Sequence, residues 1–486
     1  MTEHVSDATY KWQAFGAIGL SFVTNVMTMS MIYVMLESIS EDFGVSLRTV
    51  TWVVIVEALV ISSLMLPMGR VADAIGRKRI HLWGLAIFGV GAVFVGLAPT
   101  FPILIAARVV MATGNAMGQS VGTAMVVAVF PPEERGKAIG SQTTAVSIGG
   151  ASGPILGGLL LEVVSWQTIF LMLLLPVAVA FVASYRVLDE SRVSDLSAGE
   201  PTDFDWRGAA LSAFGVSLLV LTINNPFGWS WVSPLIIAGG VGAILLLRSF
   251  VRWELRCDVP MLDLSLFSSR LFSMSILARL LGFMGSTAIR LLVPIYLISL
   301  RGLSEGAAGG VLFLISLGMG LAAQGSGRLS DKFGTWRFMV AGFVVMLFSV
   351  GGFLSFGLTT PIWLVAIVVF VSGLSQGLWN VPNNAAIFGA APPNRYGVVG
   401  ALTNLSRNIG NVLGQALSTA VVVGVMVARG FDVALNEIAD SPGASEAFVL
   451  GWRAAFAVVI GLLLAALALA VAANPVRLKA AAGTQP

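Results

Sequence analysis

One cysteine, Cys257, and two histidines, His4 and His81, are all that this 486-residue chain has of the side chains that form disulfides and bind soft metals. An internal disulfide is excluded, and no spacing of cysteine and histidine suits a metal site. Charge is scarce too: charged residues make up 11% of the chain against 57% hydrophobic ones. Such a composition cannot cover a soluble globule, and no soluble stretch is long enough for a basic nucleic-acid-binding domain despite a net charge of +3. There is no G-x4-G-K-[ST] phosphate loop; Gly136-Lys137-Ala138 fails the pattern. A nucleophile elbow and paired catalytic carboxylates are missing as well, so no enzyme is expected. Any transport must then draw on an ion gradient or run downhill, and nothing calls for a cofactor.

Long apolar runs fill the space that charge leaves. Fourteen spans of membrane length stand at about 14–36, 50–69, 80–98, 102–129, 138–161, 167–186, 207–224, 233–251, 272–299, 307–325, 338–357, 361–383, 398–427 and 450–473. The first, about 22 residues long, exceeds a signal-peptide core and is expected to stay as a helix. Of the 28 lysines and arginines, twenty fall between spans on one side, among them Arg77, Lys78, Arg79, Arg135, Arg328, Arg337, Arg477 and Lys479. Four, Arg48, Arg301, Arg429 and Arg453, fall on the other side, and Arg108, Arg279, Arg290 and Arg407 lie within spans. That bias predicts a multi-pass protein of the cell's inner or plasma membrane with both termini in the cytoplasm.

Two segments repeat. Gly69-Arg70-Val71-Ala72-Asp73-Ala74-Ile75-Gly76-Arg77-Lys78-Arg79 recurs 258 residues on as Gly327-Arg328-Leu329-Ser330-Asp331-Lys332-Phe333-Gly334-Thr335-Trp336-Arg337. Pro132, Gly136, Gly149 and Gly153 recur 261 residues on as Pro393, Gly397, Gly410 and Gly414. Two related six-helix halves, 14–186 and 272–473, therefore bracket a region at 187–271 that carries an extra hairpin at about 207–251. A parallel repeat of this kind is a plan of secondary transporters. The acidic stretch 187–206, with Asp189, Glu190, Asp195, Glu200, Asp203 and Asp205, reads as a cytoplasmic linker.

Residues 140–158 carry Gly140, Gly149, Gly153, Pro154, Gly157 and Gly158 in the spacing G-x8-G-x3-GP-x2-GG. Glycines so placed let a neighbouring helix approach closely, and Pro154 removes one helix hydrogen bond. The spacing resembles the antiporter motif in the fifth helix of major facilitator superfamily drug exporters. Gly69 to Arg79 is similar to the same superfamily's signature loop, G-x-L-A-D-R-x-G-R-K, departing from it at Val71 and Ala74. Arg108, in LIAARVVMATG, falls where the family's fourth helix carries its arginine motif, with Met111 and Ala112 in place of the expected glutamine and glycine. With fourteen spans, the chain resembles the drug:proton antiporter branch. The resemblance implies an all-α polytopic membrane protein of the major facilitator fold, and proton-coupled export of hydrophobic or amphiphilic small molecules. Its partners are then a small-molecule substrate, protons and the lipid bilayer, with the chain a monomer. An importer or metabolite exporter on the same fold, or a non-transporting receptor, stands as the alternative.

Particular residues carry these expectations. Asp73 is placed to sit at a helix N-terminus or to accept from Arg77, giving with Gly69, Gly76 and the repeated Asp331 a latch between the halves; a plain positive-inside anchor is the other reading. Gly153 and Pro154 are expected to touch the opposite half. Glu57 and Arg108 each lie about seven residues inside their spans, roughly 10 Å deep at 1.5 Å per residue, and can pair across adjacent helices. The family's acidic residue in the first helix is here Thr28, which makes Glu57 the candidate proton carrier, a static ion pair with Arg108 being the alternative. Arg279 lies near a span end and is expected to snorkel. Arg290 either binds an acidic group of the substrate, pairs with Glu57 or pairs with an amide such as Asn404. Asn25, Met27, Met31, Asn115, Phe283, Gln376, Trp379, Asn380, Asn404 and Arg407 are candidate cavity lining, plain helix packing being the favoured alternative for any one of them.

Overall fold

A computed structural model describes residues 2–194, 204–225, 227, 229–230, 233–258, 260–431, 438 and 443–474. Asp195, Glu200, Asp203, Arg477 and Lys479 lie outside the described residues, as do the side chains of His4 and Arg48. Among the described residues there is no strand, and fourteen helices are long and apolar enough to cross a membrane. They are α1 (Thr9–Phe43), α2 (Trp52–Ile75), α3 (Arg77–Gly96), α4 (Phe101–Val129), α5 (Pro132–Leu161), α6 (Trp166–Val187), α7 (Trp206–Asn224), α8 (Pro234–Glu254), α9 (Arg270–Leu300), α10 (Gly306–Phe333), α11 (Thr335–Leu354), α12 (Ile362–Gly389), α13 (Pro393–Ala428) and α14 (Ala444–Ala472). Their number matches the apolar runs of the sequence because a backbone in hydrocarbon must satisfy every N–H and C=O internally. Four of them, α1, α5, α9 and α13, run to 35, 30, 31 and 36 residues. A span needs about 20, so these four continue as helix beyond the apolar core.

The chain divides into two compact units, Met1–Ala138 with Ala145–Ser268 and Ala391–Leu405, and Ile139–Thr144 with Ser269–Ala390 and Ser406–Pro486. In the first, α3 and α4 meet through glycine: a Cβ on Gly84 would stand 2.8 Å from the Gly114 carbonyl oxygen, and one on Gly91 2.5 Å from the Met111 backbone. The hairpin α7–α8 packs on α2, with the Ser63 and Ser217 hydroxyls 2.5 Å apart and the Trp52 and Phe227 rings edge to face at 5.5 Å. Asp205 caps α7 by accepting from the Gly208 amide at 2.9 Å and also accepts from the Trp253 indole at 2.9 Å. At the other end Asn225 takes a left-handed φ of 41° and clips its side chain to Trp229 at 2.6 and 3.0 Å. A reporter inserted after Asn225 is expected to read on the membrane face opposite the Arg77 loop. A readout on the same face would show that α7 and α8 do not cross.

In the second unit, α10 and α12 interlock at Gly318, Gly373 and Gly377, where a Cβ would meet the other helix's backbone at 2.2–2.5 Å. An aromatic core of Tyr296, Phe353, Phe356, Trp452 and Phe456 fills the far end. Its polar handles are satisfied: the Tyr296 hydroxyl donates to the Gly357 carbonyl and the Trp452 indole to the Phe353 carbonyl, each at 2.7 Å. The two repeated loops share a backbone requirement. Gly76 between α2 and α3 has φ +110°, and Gly334 between α10 and α11 has φ +91°, both in a region that side chains disfavour.

Candidate functional site

Inside the first unit a line of polar side chains runs from α2 through α4. Arg108 and Glu57 are 1% and 4% exposed, and an Arg108 Nη2–H bonds the Glu57 carboxylate directly. The other carboxylate oxygen accepts from Asn115 Nδ2 at 3.1 Å, Asn115 Oδ1 accepts from Gln119 Nε2 at 3.0 Å, and the Gln119 carbonyl accepts from Asn404 Nδ2 at 2.9 Å. The period of α4 puts residues 108, 115 and 119 on one face, so one helix supplies three members of the series. Arg108 has further partners in the Val53 carbonyl at 3.3 Å and Met111 Sδ at 3.5 Å, with Phe170 under its guanidinium at 6.0 Å. Met111, read from sequence as a departure, thus serves as a soft acceptor for the arginine. Tyr33 of α1, within electrostatic reach of both Glu57 and Arg108, has no distinguishing signal in the sequence.

A buried carboxylate held by one cation and one amide has two chemical states. Ionised, it compensates Arg108; protonated, it leaves Arg108 to the Val53 carbonyl and to whatever anion or water is present. Thr28 carries no such chemistry: it is buried and donates to the Thr24 carbonyl of its own helix at 2.8 Å.

Asp73, at the end of α2, meets both of its alternatives at once. It accepts from Arg77 Nε at 3.1 Å and Nη2 at 2.9 Å, and from the Gly397 and Val398 amides at 3.0 Å each, at the start of the α-helical part of α13. Carboxylates at helix N-termini are favoured by the free N–H groups there and by the helix dipole. Arg77 also donates to the Pro393 carbonyl at 3.1 Å and the Val193 carbonyl at 3.2 Å. A Cβ on Gly69 would stand 2.7 Å from the Ala401 Cβ, so this glycine lets α13 approach. Several partners went unread in the sequence. Glu190 packs beneath Gly76 and accepts from the Lys78 amide at 3.2 Å, Ser194 accepts from the Arg77 amide at 2.8 Å, and Tyr396 accepts from Arg135 at 2.5 Å. Acid and hydroxyl residues at that distance capping α3 have a local signal only in their type, not in their position. Asp331 sits at the corresponding place on α10, half-buried.

The glycine ladder corrects one expectation. Gly149, Gly153 and Gly157, one turn apart, face α1 of the same half: a Cβ would stand 2.6 Å from the Val23 carbonyl at Gly149, 2.0 Å from Ser30 Oγ and 2.5 Å from the Met27 carbonyl at Gly153, and 2.7 Å from Met31 Cγ at Gly157. Pro154 is exposed. The ladder residue that approaches the second half is Gly140, whose Cβ would be 2.5 Å from the Ala323 carbonyl. Gly158 has only Val34 at 4.0 Å. In the repeat, Gly410 and Gly414 face Leu280, Phe283 and Met284 of α9 in the same way.

The remaining candidates separate. Met31, Phe283 and Trp379 are 2%, 3% and 0% exposed; Met31 is wedged at the α1–α5 contact and the two rings belong to the second unit's core. Asn25 is buried beside Gly118, and Met27 is half-buried. Arg279 is buried rather than snorkelling, because Asn380 stands opposite it on α12 and accepts its Nη1–H at 2.7 Å. Arg290 pairs with an amide, but the amide is Gln376, at 2.7 Å, not Asn404. Its side chain is exposed, and that of Arg407 is half-buried.

Fourteen membrane-length helices around buried, hydrogen-bonded charges define a polytopic membrane transporter. The Major Facilitator Superfamily profile matches residues 18–415, and the chain belongs to that family. It is 28% identical over 414 residues to the riboflavin transporter RibZ of Clostridioides difficile, covering 84% of this chain and 87% of that one. It is 28% identical to a methylenomycin A resistance protein of Streptomyces coelicolor, covering 84% of each chain, and 26% identical to the methyl viologen resistance protein SmvA of Salmonella typhimurium, covering 88% and 84%. Among solved structures, the human organic anion transporter MFSD10 superposes with a TM-score of 0.68 at 17% identity over 95% of this chain and 99% of that one. At that identity the likeness is one of fold.

Proposed function

We propose that the protein is a proton-coupled exporter of hydrophobic or amphiphilic small molecules, working by alternating access in the cell membrane, with both termini cytoplasmic and the chain a monomer. The observation that carries this reading is Glu57, a carboxylate buried within a span and tied to Arg108 and Asn115. A buried ionisable group within a span is costly unless it has a task, and proton exchange is the task that matches a group with one cation and one amide for company. The resistance relatives support export, and the complete glycine ladder supports antiport. In this reading 14–186 and 272–473 are the two moving bundles, the hairpin at about 207–251 rides on the first, and Gly69, Asp73, Gly76, Arg77 and Asp331 form the conformational latch. The relative named a riboflavin transporter favours a second reading, movement of a metabolite on the same fold.

The deciding assay uses protein reconstituted in liposomes with an imposed pH gradient and cationic dyes, tetracycline-like zwitterions, acidic compounds and riboflavin as probes. Gradient-driven counterflow of dyes supports the exporter. Flux of riboflavin alone supports the second reading, and flux that ignores the gradient removes proton coupling.

A further inference from the structure

Three arginines of the second half lie in helices that carry no acid of their own. Helices α9, α11, α12 and α13 contain no aspartate or glutamate, yet Arg279 and Arg290 lie in α9 and Arg407 in α13. Arg407 is within electrostatic reach of both others. Of the three, Arg290 has the exposed side chain, about two-thirds of the way along its helix. A guanidinium exposed at that depth faces water, because contact with hydrocarbon costs several kcal/mol.

The hydrogen bonds around it have one polarity. Arg290 Nη2 donates to Gln376 Oε1, Arg279 Nη1 donates to Asn380 Oδ1, and the Thr287 hydroxyl donates to Asn411 Oδ1, each at 2.7 Å. A guanidinium has five N–H groups and no acceptor, so the amides at 376 and 380 must turn oxygen towards it. Each of these amide oxygens is thereby occupied by a neighbouring donor. Gln376 makes the point most sharply: the residue is 2% exposed and its Nε2 has no partner. A surface with donors to spare and its amide acceptors already engaged is complementary to an oxyanion.

We propose that Arg290, Gln376 and Arg407 bind the anionic group, a carboxylate, sulfonate or phosphate, of an amphiphilic substrate. The proposal deepens the exporter reading and rests on it. The substrate's negative charge supplies what α9, α12 and α13 lack, and its apolar body is what a membrane exporter extracts.

Three probes with one ring system test this: 9-anthracenecarboxylate, its neutral amide, and 9-(aminomethyl)anthracene as the cation. Binding is measured by fluorescence on purified protein in nanodiscs, and gradient-driven flux in liposomes. The carboxylate is expected to bind about tenfold or more tightly than the amide, as a charge-assisted hydrogen bond predicts. Arg290→Gln is expected to bring that ratio within about twofold by weakening the carboxylate far more than the amide, and Arg290→Lys to retain most of it. If Arg290→Gln does not fold, Gln376→Glu carries the same test by setting a carboxylate against Arg290, and it too is expected to erase the preference. A wild-type protein indifferent to probe charge, or a preference that survives both Arg290→Gln and Gln376→Glu, overturns the site. Gradient-driven flux of amide and cation without carboxylate preference overturns the site and leaves the exporter reading standing. An Arg290-dependent preference without gradient-driven flux does the reverse.

Discussion

Glu57→Gln is expected to abolish gradient-driven efflux, to the level of empty liposomes, while the protein remains folded and still exchanges substrate for substrate. Glutamine keeps the shape: its one oxygen accepts from Arg108, and its NH2 group donates to Asn115 once the Asn115 amide turns its oxygen round, so contacts between α2 and α4 survive. What it loses is the choice between two charge states, and a carrier frozen in one state cannot couple a proton to a conformational cycle. Arg108→Ala is a different kind of change. It leaves a carboxylate buried and unpaired, at a cost of about 3–5 kcal/mol, and is expected to lower the thermal midpoint and the membrane abundance. Membrane abundance measured beside efflux distinguishes the roles: a purely structural ion pair makes both variants fail to accumulate together. Wild-type efflux by Glu57→Gln would put the proton elsewhere.

Gly153→Leu carries the second large effect. The first carbon of the new side chain would already stand 2.0 Å from Ser30 Oγ and 2.5 Å from the Met27 carbonyl, and the Met27 carbonyl, being backbone, cannot swing aside. Overpacking of about 1–3 kcal/mol in a soluble core is a lower bound where backbone is the obstacle. Helices α1 and α5 must separate, so loss of export and a lowered melting transition are expected together, both readable on purified protein. Pro154→Ala, at an exposed neighbour, is the control and is expected to export normally. A Gly153→Leu protein that melts like the wild type would mean that the helices do not meet at this glycine.

The two predictions differ in how far the sequence alone reaches them. The pairing of Glu57 with Arg108 was legible because both residues stand at matched depth in their spans, where an unpaired charge in hydrocarbon is costly. The fourteen helices were legible for a similar reason: length and apolarity are one-dimensional properties. The partner of Gly153 was not, since a glycine's spacing announces that a helix comes close without saying which one; that depends on helix rotation. Arg279 failed likewise, because distance from a span end says nothing of Asn380 standing opposite. Glu190 and Ser194 are about 115 residues from the α3 end they cap, and no local pattern links them to it.

The joint between α1 and α5 recurs between α9 and α13, with Gly149 and Gly153 answered by Gly410 and Gly414. Both are contacts of backbone on backbone, indifferent to the side chains a turn away. Four glycines therefore fix both joints, whatever side chains stand beside them. One half sets a buried Glu57–Arg108 pair beside its joint and the other sets Arg290 and Arg407 beside the same joinery. The likeness of the halves is written in residues that have no side chain, and their difference in those that do.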